Sequence, residues 1–223
     1  MPEGLISING ENVQTLEVLF LTTIITLLPS LLVMMTSFTR YIISFSFLRT
    51  AIGTQQTPPN IVLIGLALFL TFFTMGPTMD QIQKDAYEPY MEEQISQEEF
   101  MQRAQEPLKE FMLRNTKPST LEMFCDLAKV EIPENAELDI TKGLPMRIIV
   151  PSFATCELQR AFQIGFLLFL PFMLIDIVVS STLMSMGMIM LPPSMISMPF
   201  KLLLFVTLNG WELLFSSLVT GFN

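Results

Sequence analysis

Polar and apolar residues separate into long blocks along this chain rather than alternating at short range. Val18 to Thr39 runs 22 residues without a charge, and Ile61 to Met79 is a second uncharged run. A helix of about 20 apolar residues reaches across a hydrocarbon core of roughly 30 Å. The spacing therefore predicts membrane-crossing helices over both runs. Between them Arg40 and Arg49 bracket a shorter apolar piece, and Gly53-Thr54-Gln55-Gln56-Thr57 reads as a polar turn. Pro58, Pro59 and Asn60 open the next helix, with Asn60 as the expected N-cap. After Phe153 the oil returns. From Ala161 to Asn223 the only charges are Asp176, Lys201 and Glu212. Phe162 to Met190 is broken by Asp176 alone. Pro192-Pro193-Ser194 then interrupts the chain, Ser197 and Pro199 look like a helix start, and Lys201 to Phe222 is the expected last helix. Both halves read as helix, polar or Pro-Pro break, helix, a weak internal repeat that suggests two helical hairpins.

Between the oily blocks lies a watery one. Residues 80 to 147 hold 23 of the chain's 33 charges, 15 of them acidic. Helical spacing recurs over Gln81 to Tyr90 and over Ser96 to Leu113, where Ile95, Phe100, Leu108, Phe111 and Met112 are the apolar positions. Ser96 before Glu99 and Ser119 before Glu122 have the spacing of a capping box, which predicts a further short helix over Ser119 to Val130. Glu131 to Lys142 reads as a loop. The simple reading of this segment is a solvated face. The expected organisation is thus an N-terminal segment with the first hairpin (1–79), an acidic, mainly helical segment (80–147), and a second hairpin (148–223). The fold class is all-α and membrane-associated.

Composition narrows the function. The net charge is −9 and 51% of the residues are hydrophobic, with a mean hydropathy of +0.53. An acidic chain is not a nucleic-acid binder, and so apolar a chain is not disordered. There is no histidine, so no catalytic imidazole and no His-bound metal. No nucleophile-and-base motif stands out, and no cofactor motif is found. The expectation is a non-enzyme without cofactor or metal. Two cysteines, Cys125 and Cys156, make no disulfide scaffold. Two buried free thiols are expected, with pairing in an oxidising space as the alternative. Leu5 to Ile8 is too short for a signal peptide and has no positive flank.

Polar groups inside the oil are costly and therefore informative. Thr15, Thr22, Thr26, Ser30 and Ser37 share one helical face, as do Asn209, Glu212, Ser216 and Thr220. Such stripes either pack the helices of one chain together or face neighbouring chains or a wet lumen. Asp176 and Lys201 are opposite charges on sequential helices, and are expected to face each other or a neighbouring subunit. The excess of Arg40, Arg49 and Lys201 places both hairpin tips in the cytoplasm and the acidic segment outside. Met184, Met186, Met188, Met190, Met195 and Met198 crowd one short stretch. They either fill apolar gaps or, sitting at the Gly187 and Pro192-Pro193 break, form a deformable seal around a pore.

Four long motifs carry a family resemblance. Met35 to Arg40 is one. Gly53 to Asn60 with Leu63 to Leu70 is the next. Ile164 to Leu167, Leu170-Pro171-Phe172 and Ile175-Asp176 form the third. The fourth runs from Met186-Gly187-Met188 through Leu191-Pro192-Pro193, then Pro199 to Phe205 and Gly210-Trp211. Together they resemble the flagellar biosynthetic protein FliP family and its injectisome relatives of the type III secretion R class. The resemblance implies a core subunit of a protein export gate in the bacterial cell membrane, at the flagellar basal body. It implies a homo-oligomer, a pentamer, joined by FliQ- and FliR-like subunits in a conical helical assembly, through which unfolded polypeptides pass. Met186, Met188 and Met190 match the family's sealing loop, and Ile189 stands where many members carry another methionine. Ile is stiffer at its branch than Met. Arg40, Arg49, Asp176, Lys201 and Glu212 are the expected buried polar or assembly residues. The competing class is a small-solute transporter or ion channel, with Asp176, Lys201 and Glu212 lining its path.

Overall fold

The computed structural model describes residues 6–8, 11–13, 18–19, 22–23, 25–27, 33–54, 56–130, 143–188 and 190–222. A short antiparallel ribbon pairs β1 (Ile6–Ile8) with β2 (Glu11–Val13), Ile6 opposite Val13. Everything else regular among the described residues is helical: α1 (Phe38–Ile52), α2 (Asn60–Ile82), α3 (Glu88–Met91), α4 (Gln97–Arg114), α5 (Pro118–Ala128), α6 (Met146–Ser185), α7 (Pro193–Thr207) and α8 (Gly210–Thr220).

The first apolar run does not make one helix. Its described residues are helical at 18–19, 22–23, 25–27 and 33–34, the chain turns at 35–37, and α1 starts afresh at Phe38. Arg40 and Arg49 therefore mark opposite ends of α1 rather than a common tip. α1 closes at Gly53, whose φ of 91° takes the left-handed cap that favours glycine. Asn60 is the first residue of α2 and not its cap, which is Pro59. Its side-chain oxygen is taken by Arg49 instead, at 2.5 Å.

α2 runs on past the point where the composition turns polar. A π-helical turn, Gln83–Tyr87, joins it to α3, so the helix from Asn60 to Met91 is 32 residues long. α6 is longer still, 40 residues, or about 60 Å at 1.5 Å per residue. Both are long and apolar enough to cross a membrane. The expected last helix is broken: Asn209 adopts φ 49°, and α7 and α8 meet at 64°. Since α7 begins at Pro193, the pair forms one bent arm returning along α6.

The acidic segment is more than a solvated face. Ser96 caps α4 by accepting from the Glu99 N–H at 3.3 Å, as its spacing predicts. Ser119 caps nothing, because α5 starts one residue earlier with Pro118 at its first position. The inner faces of α4 and α5 bury Phe111, Met112 and Cys125 in the same core as Tyr41, Phe45 and Leu48 of α1 and Phe153 of α6. Phe111 stacks on Phe222 with centroids 5.9 Å apart and meets Phe153 edge-on at 5.8 Å. The segment is thereby docked onto the apolar helices. Both cysteines are free and buried. Burial, then the nearby Asp126 and Glu122, push the Cys125 thiol above its usual range. The expected loop over 131–142 lies outside the described residues.

α1 lies along α6 at very close range. A Cβ on Gly165 would sit 2.5 Å from the Phe47 ring, which also packs edge-on against Phe162 at 5.2 Å. Gly165→Ala should therefore cost about 1–3 kcal/mol from overpacking, read as a lower unfolding midpoint in detergent. An unchanged midpoint would mean that the two helices are free to move apart.

Candidate functional site

α6 ends in a Schellman turn. The Gly187 N–H donates to the Met184 carbonyl and the Met188 N–H to the Leu183 carbonyl, each at 3.0 Å. Gly187 supplies the required positive φ, 76°. Pro192 then caps α7, Pro193 takes its first position, and the Met195 N–H returns to the Pro192 carbonyl at 3.1 Å. A glycine stop and a double-proline restart thus fix the two ends of the methionine loop. Its side chains point away from the core: Met186 is 65% exposed, Met188 39% and Met190 98%. Met184 and Met195 beside it are also exposed. A side chain as open as Met190 fills no gap inside this chain. Ile189 lies outside the described residues.

Behind the loop, Lys201 joins three helices. Its Nζ donates to Asp176 Oδ2 at 2.6 Å and to the Ala51 carbonyl at 3.1 Å. Ser197 Oγ donates to Asp176 Oδ1 at 2.6 Å. The ammonium therefore sits at the C-terminal end of α1, where the helix dipole favours a cation, and the two charges lie together as expected. Lys201 is buried while the Asp176 side chain is 39% exposed. The two halves are unequal for that reason. Asp176→Asn should cost about 1–3 kcal/mol by leaving the ammonium without its counter-ion. Lys201→Met should cost less, since Asp176 keeps Ser197 and some water. The swap Asp176→Lys with Lys201→Asp should recover part of either loss, and no recovery in unfolding experiments would show that the pair is not the source of stability.

Arg49 stands at the same end of α1. It donates to Asn60 Oδ1 and, at 3.4 Å, to the Pro58 carbonyl, which fixes the polar turn after α1. A recess of about 750 Å³ lies between this turn and the start of α7, lined by Arg49, Gly53, Gln56, Ser194, Met195 and Met198. The loop's downstream methionines thus share a wall with the first polar turn. Glu212 is exposed on α8 and has no ion-pair partner among the described residues. With Asn209, Ser216 and Thr220 it forms an exposed stripe. Thr22 and Thr26 are exposed too, their hydroxyls donated to the carbonyls of Val18 and Thr22. Ser37 is buried, and Thr15 and Ser30 lie outside the described residues. Within one chain the α8 stripe buries nothing, and of the first stripe's described residues only Ser37 is buried.

The most buried charged group is one that the sequence reading passed over in part. Arg40 grips Glu157 with two donors, Nε to Oε2 at 2.7 Å and Nη2 to Oε1 at 2.5 Å. Its Nη1 donates to the Gly221 carbonyl at 2.9 Å, and its guanidinium carbon lies 3.4 Å from the Phe222 ring centroid. Arg160 adds a third contact to Glu157 at 3.2 Å. Arg40 is 1% exposed and Glu157 0%. This cluster ties the start of α1 to the first third of α6 and to Gly221 and Phe222 after α8. A signal was present: Glu157 is a lone acid in an apolar stretch, and Arg40 was a buried cation without a named acid. Among the described residues no three potential ligands converge to hold a metal ion.

Residues 21–218 match the FliP family. The chain is 51% identical over 217 residues to the flagellar biosynthetic protein FliP of Bacillus subtilis, covering 97% of this chain and 96% of that one. It is 49% identical over 214 residues to the protein of that name from Aquifex aeolicus, covering 96% and 88%. It is 51% identical over 216 residues to the one from Pectobacterium carotovorum, covering 96% and 82%.

Proposed function

The chain belongs to the FliP family and is a membrane component of the flagellar export apparatus, and from that premise we propose that it lines and seals the pore through which unfolded flagellar subunits leave. Several copies, five by family resemblance, close into a ring with FliQ- and FliR-like subunits. Met186, Met188, Ile189 and Met190 of each copy form the constriction. Arg40, Arg49, Asp176 and Lys201 hold the helices that carry it, and Glu212 faces a neighbour. The acidic segment lies on the outer side of the membrane. No covalent chemistry is needed: the work is assembly and gating.

The observation that carries this reading is the loop. A tight cap and two prolines hold its ends, yet its described methionines are exposed, Met190 almost completely. Unbranched Met side chains repack around varied contacts, which suits a seal that must yield to many sequences. The apolar constriction excludes ions by dewetting when empty. A solute path through Asp176 and Lys201 is not favoured, because Ser197 and the Ala51 carbonyl already take part in their pairing.

The test is a cysteine at Met188 or Met190 in cells holding an export substrate stalled by a folded domain. The account expects a crosslink between that cysteine and one in the stalled substrate, and none from Met123→Cys on the exposed side of α5. Equal crosslinking at both positions, or none at the loop, would remove the loop from the export path.

A further inference from the structure

A second feature lies along α6 away from the methionine loop and needs no ring. Below Arg160 an apolar groove of about 330 Å³ opens between α6, α7 and α8. Ile164, Leu168 and Pro171 wall it on one side and Leu204 and Leu213 on the other, with Ser217 also on its lining. Arg160 precedes Ile164 by one helical turn on the same face of α6, so it stands at one end of the groove. The α8 side ends there too: Ser217 lines the groove, and one turn on the Gly221 carbonyl accepts from Arg40.

The charge at that end is not balanced. Two arginines share the single carboxylate of Glu157. Arg40 takes both oxygens and is buried, whereas the Arg160 side chain is 27% exposed and spends one donor on an oxygen that Arg40 already holds. The cluster keeps one net positive charge, presented by Arg160 at the point where the apolar run from Ala161 begins. Cations placed so, at the edge of a membrane-crossing stretch, reach the headgroup layer. The groove wall is uncovered in the single chain: Leu167 is 62% exposed and Leu213 60%.

We propose that this is a binding site for an anionic phospholipid, with its phosphate on Arg160 and one acyl chain in the groove between α6, α7 and α8. A lipid satisfies both halves at once, a cation lacking a full counter-ion and an uncovered hydrocarbon channel beneath it. An acidic side chain from another copy would satisfy only the first.

The chain's single tryptophan provides the probe. Trp211 packs edge-on against Phe205, a groove residue, with centroids 5.4 Å apart. The full-length protein is reconstituted with phosphatidylglycerol or phosphatidylcholine carrying brominated acyl chains, and Trp211 quenching is measured against mole fraction. Phosphatidylglycerol should be preferred about fivefold, the gain from one basic side chain at an anionic surface. Arg160→Gln should abolish the preference and Arg160→Lys should keep it. Lys117→Gln removes an equal charge at a neighbouring position, since Lys117 reaches Gln159 at 3.1 Å, and should leave the preference intact. Sodium phosphate should not relieve the quenching; if it does, a free anion alone displaces the lipid, the acyl chain adds nothing to binding, and the proposal falls. Equal quenching by the two lipids in the wild type would overturn the proposal without any variant. So would the lack of quenching by either, which would mean that a second copy covers the groove.

Discussion

Glu157→Gln should destabilise the protein by about 3–5 kcal/mol, the usual loss when one partner of a buried ion pair is removed. The substitution keeps the volume and shape of the side chain, so packing is not the cause. It leaves the Arg40 guanidinium, 1% exposed, with one carbonyl and one aromatic face but no anion. Arg40→Met should cost less. Arg160 remains 3.2 Å from Glu157 and can hold the carboxylate near neutrality while reaching water itself. The double change Arg40→Met with Glu157→Leu should then stand closer to wild type than Glu157→Gln does, because an apolar pair of similar volume carries no desolvation cost. Denaturant or thermal unfolding in detergent reads all three. If Glu157→Gln proves as mild as a surface change, the cluster does not hold α1, α6 and the turn after α8 together.

Removing Met186 to Met190 should turn a closed assembly into a conducting one. The loop's described methionines are exposed, Met190 to 98%, so the deletion costs the α6 cap at Gly187 but leaves the core side chains in place, and assembly should survive. What disappears is the apolar collar, and with it the barrier to ions. The prediction concerns hydrophobicity and flexibility separately. Leu at Met186, Met188 and Met190 should keep the membrane tight to ions but slow export, since Leu is branched and adapts less readily than Met. Ser at the same three positions should leak. Planar-bilayer conductance of the purified complex, paired with its size, separates sealing from assembly. Unchanged conductance in the deletion would show that the seal is elsewhere.

Much of this was legible in the charge pattern. The two long apolar helices, the capped start of α4 and the Asp176–Lys201 pair all follow from residues that pay a steep cost in the wrong solvent. Three features did not follow. The bend at Asn209 depends on one residue taking a left-handed backbone, which apolar spacing does not reveal. The join of α2 to α3 runs through a change of composition, because a helix has no reason to stop where its surroundings become wet. The docking of α4 and α5 depends on a few apolar positions, such as Phe111 and Cys125, inside a segment whose average is strongly acidic. Glu157 was missed for a related reason. It sits past the acidic block, where the eye follows the oil, although a lone acid there calls for a cation as surely as Asp176 does.

The exposed surfaces are what single-chain reasoning leaves over. On α2, Phe69, Phe72 and Phe73 are each more than 60% exposed, and α6 shows Phe166, Leu174 and Ile177 to the same degree. Such apolar faces suit lipid, and the polar stripe of α8 does not. Greasy faces and wet stripes on one chain are reconciled when copies join and turn the stripes toward one another or toward a lumen.

Single-particle imaging of the detergent-purified protein, alone and with the gate subunits expressed beside it, tests that most directly. The account predicts a closed ring of several copies around an axial hole, narrowest where the methionine loops converge. A uniform population of single helical bundles, or an oligomer with its loops on the outer rim and no hole, would contradict it.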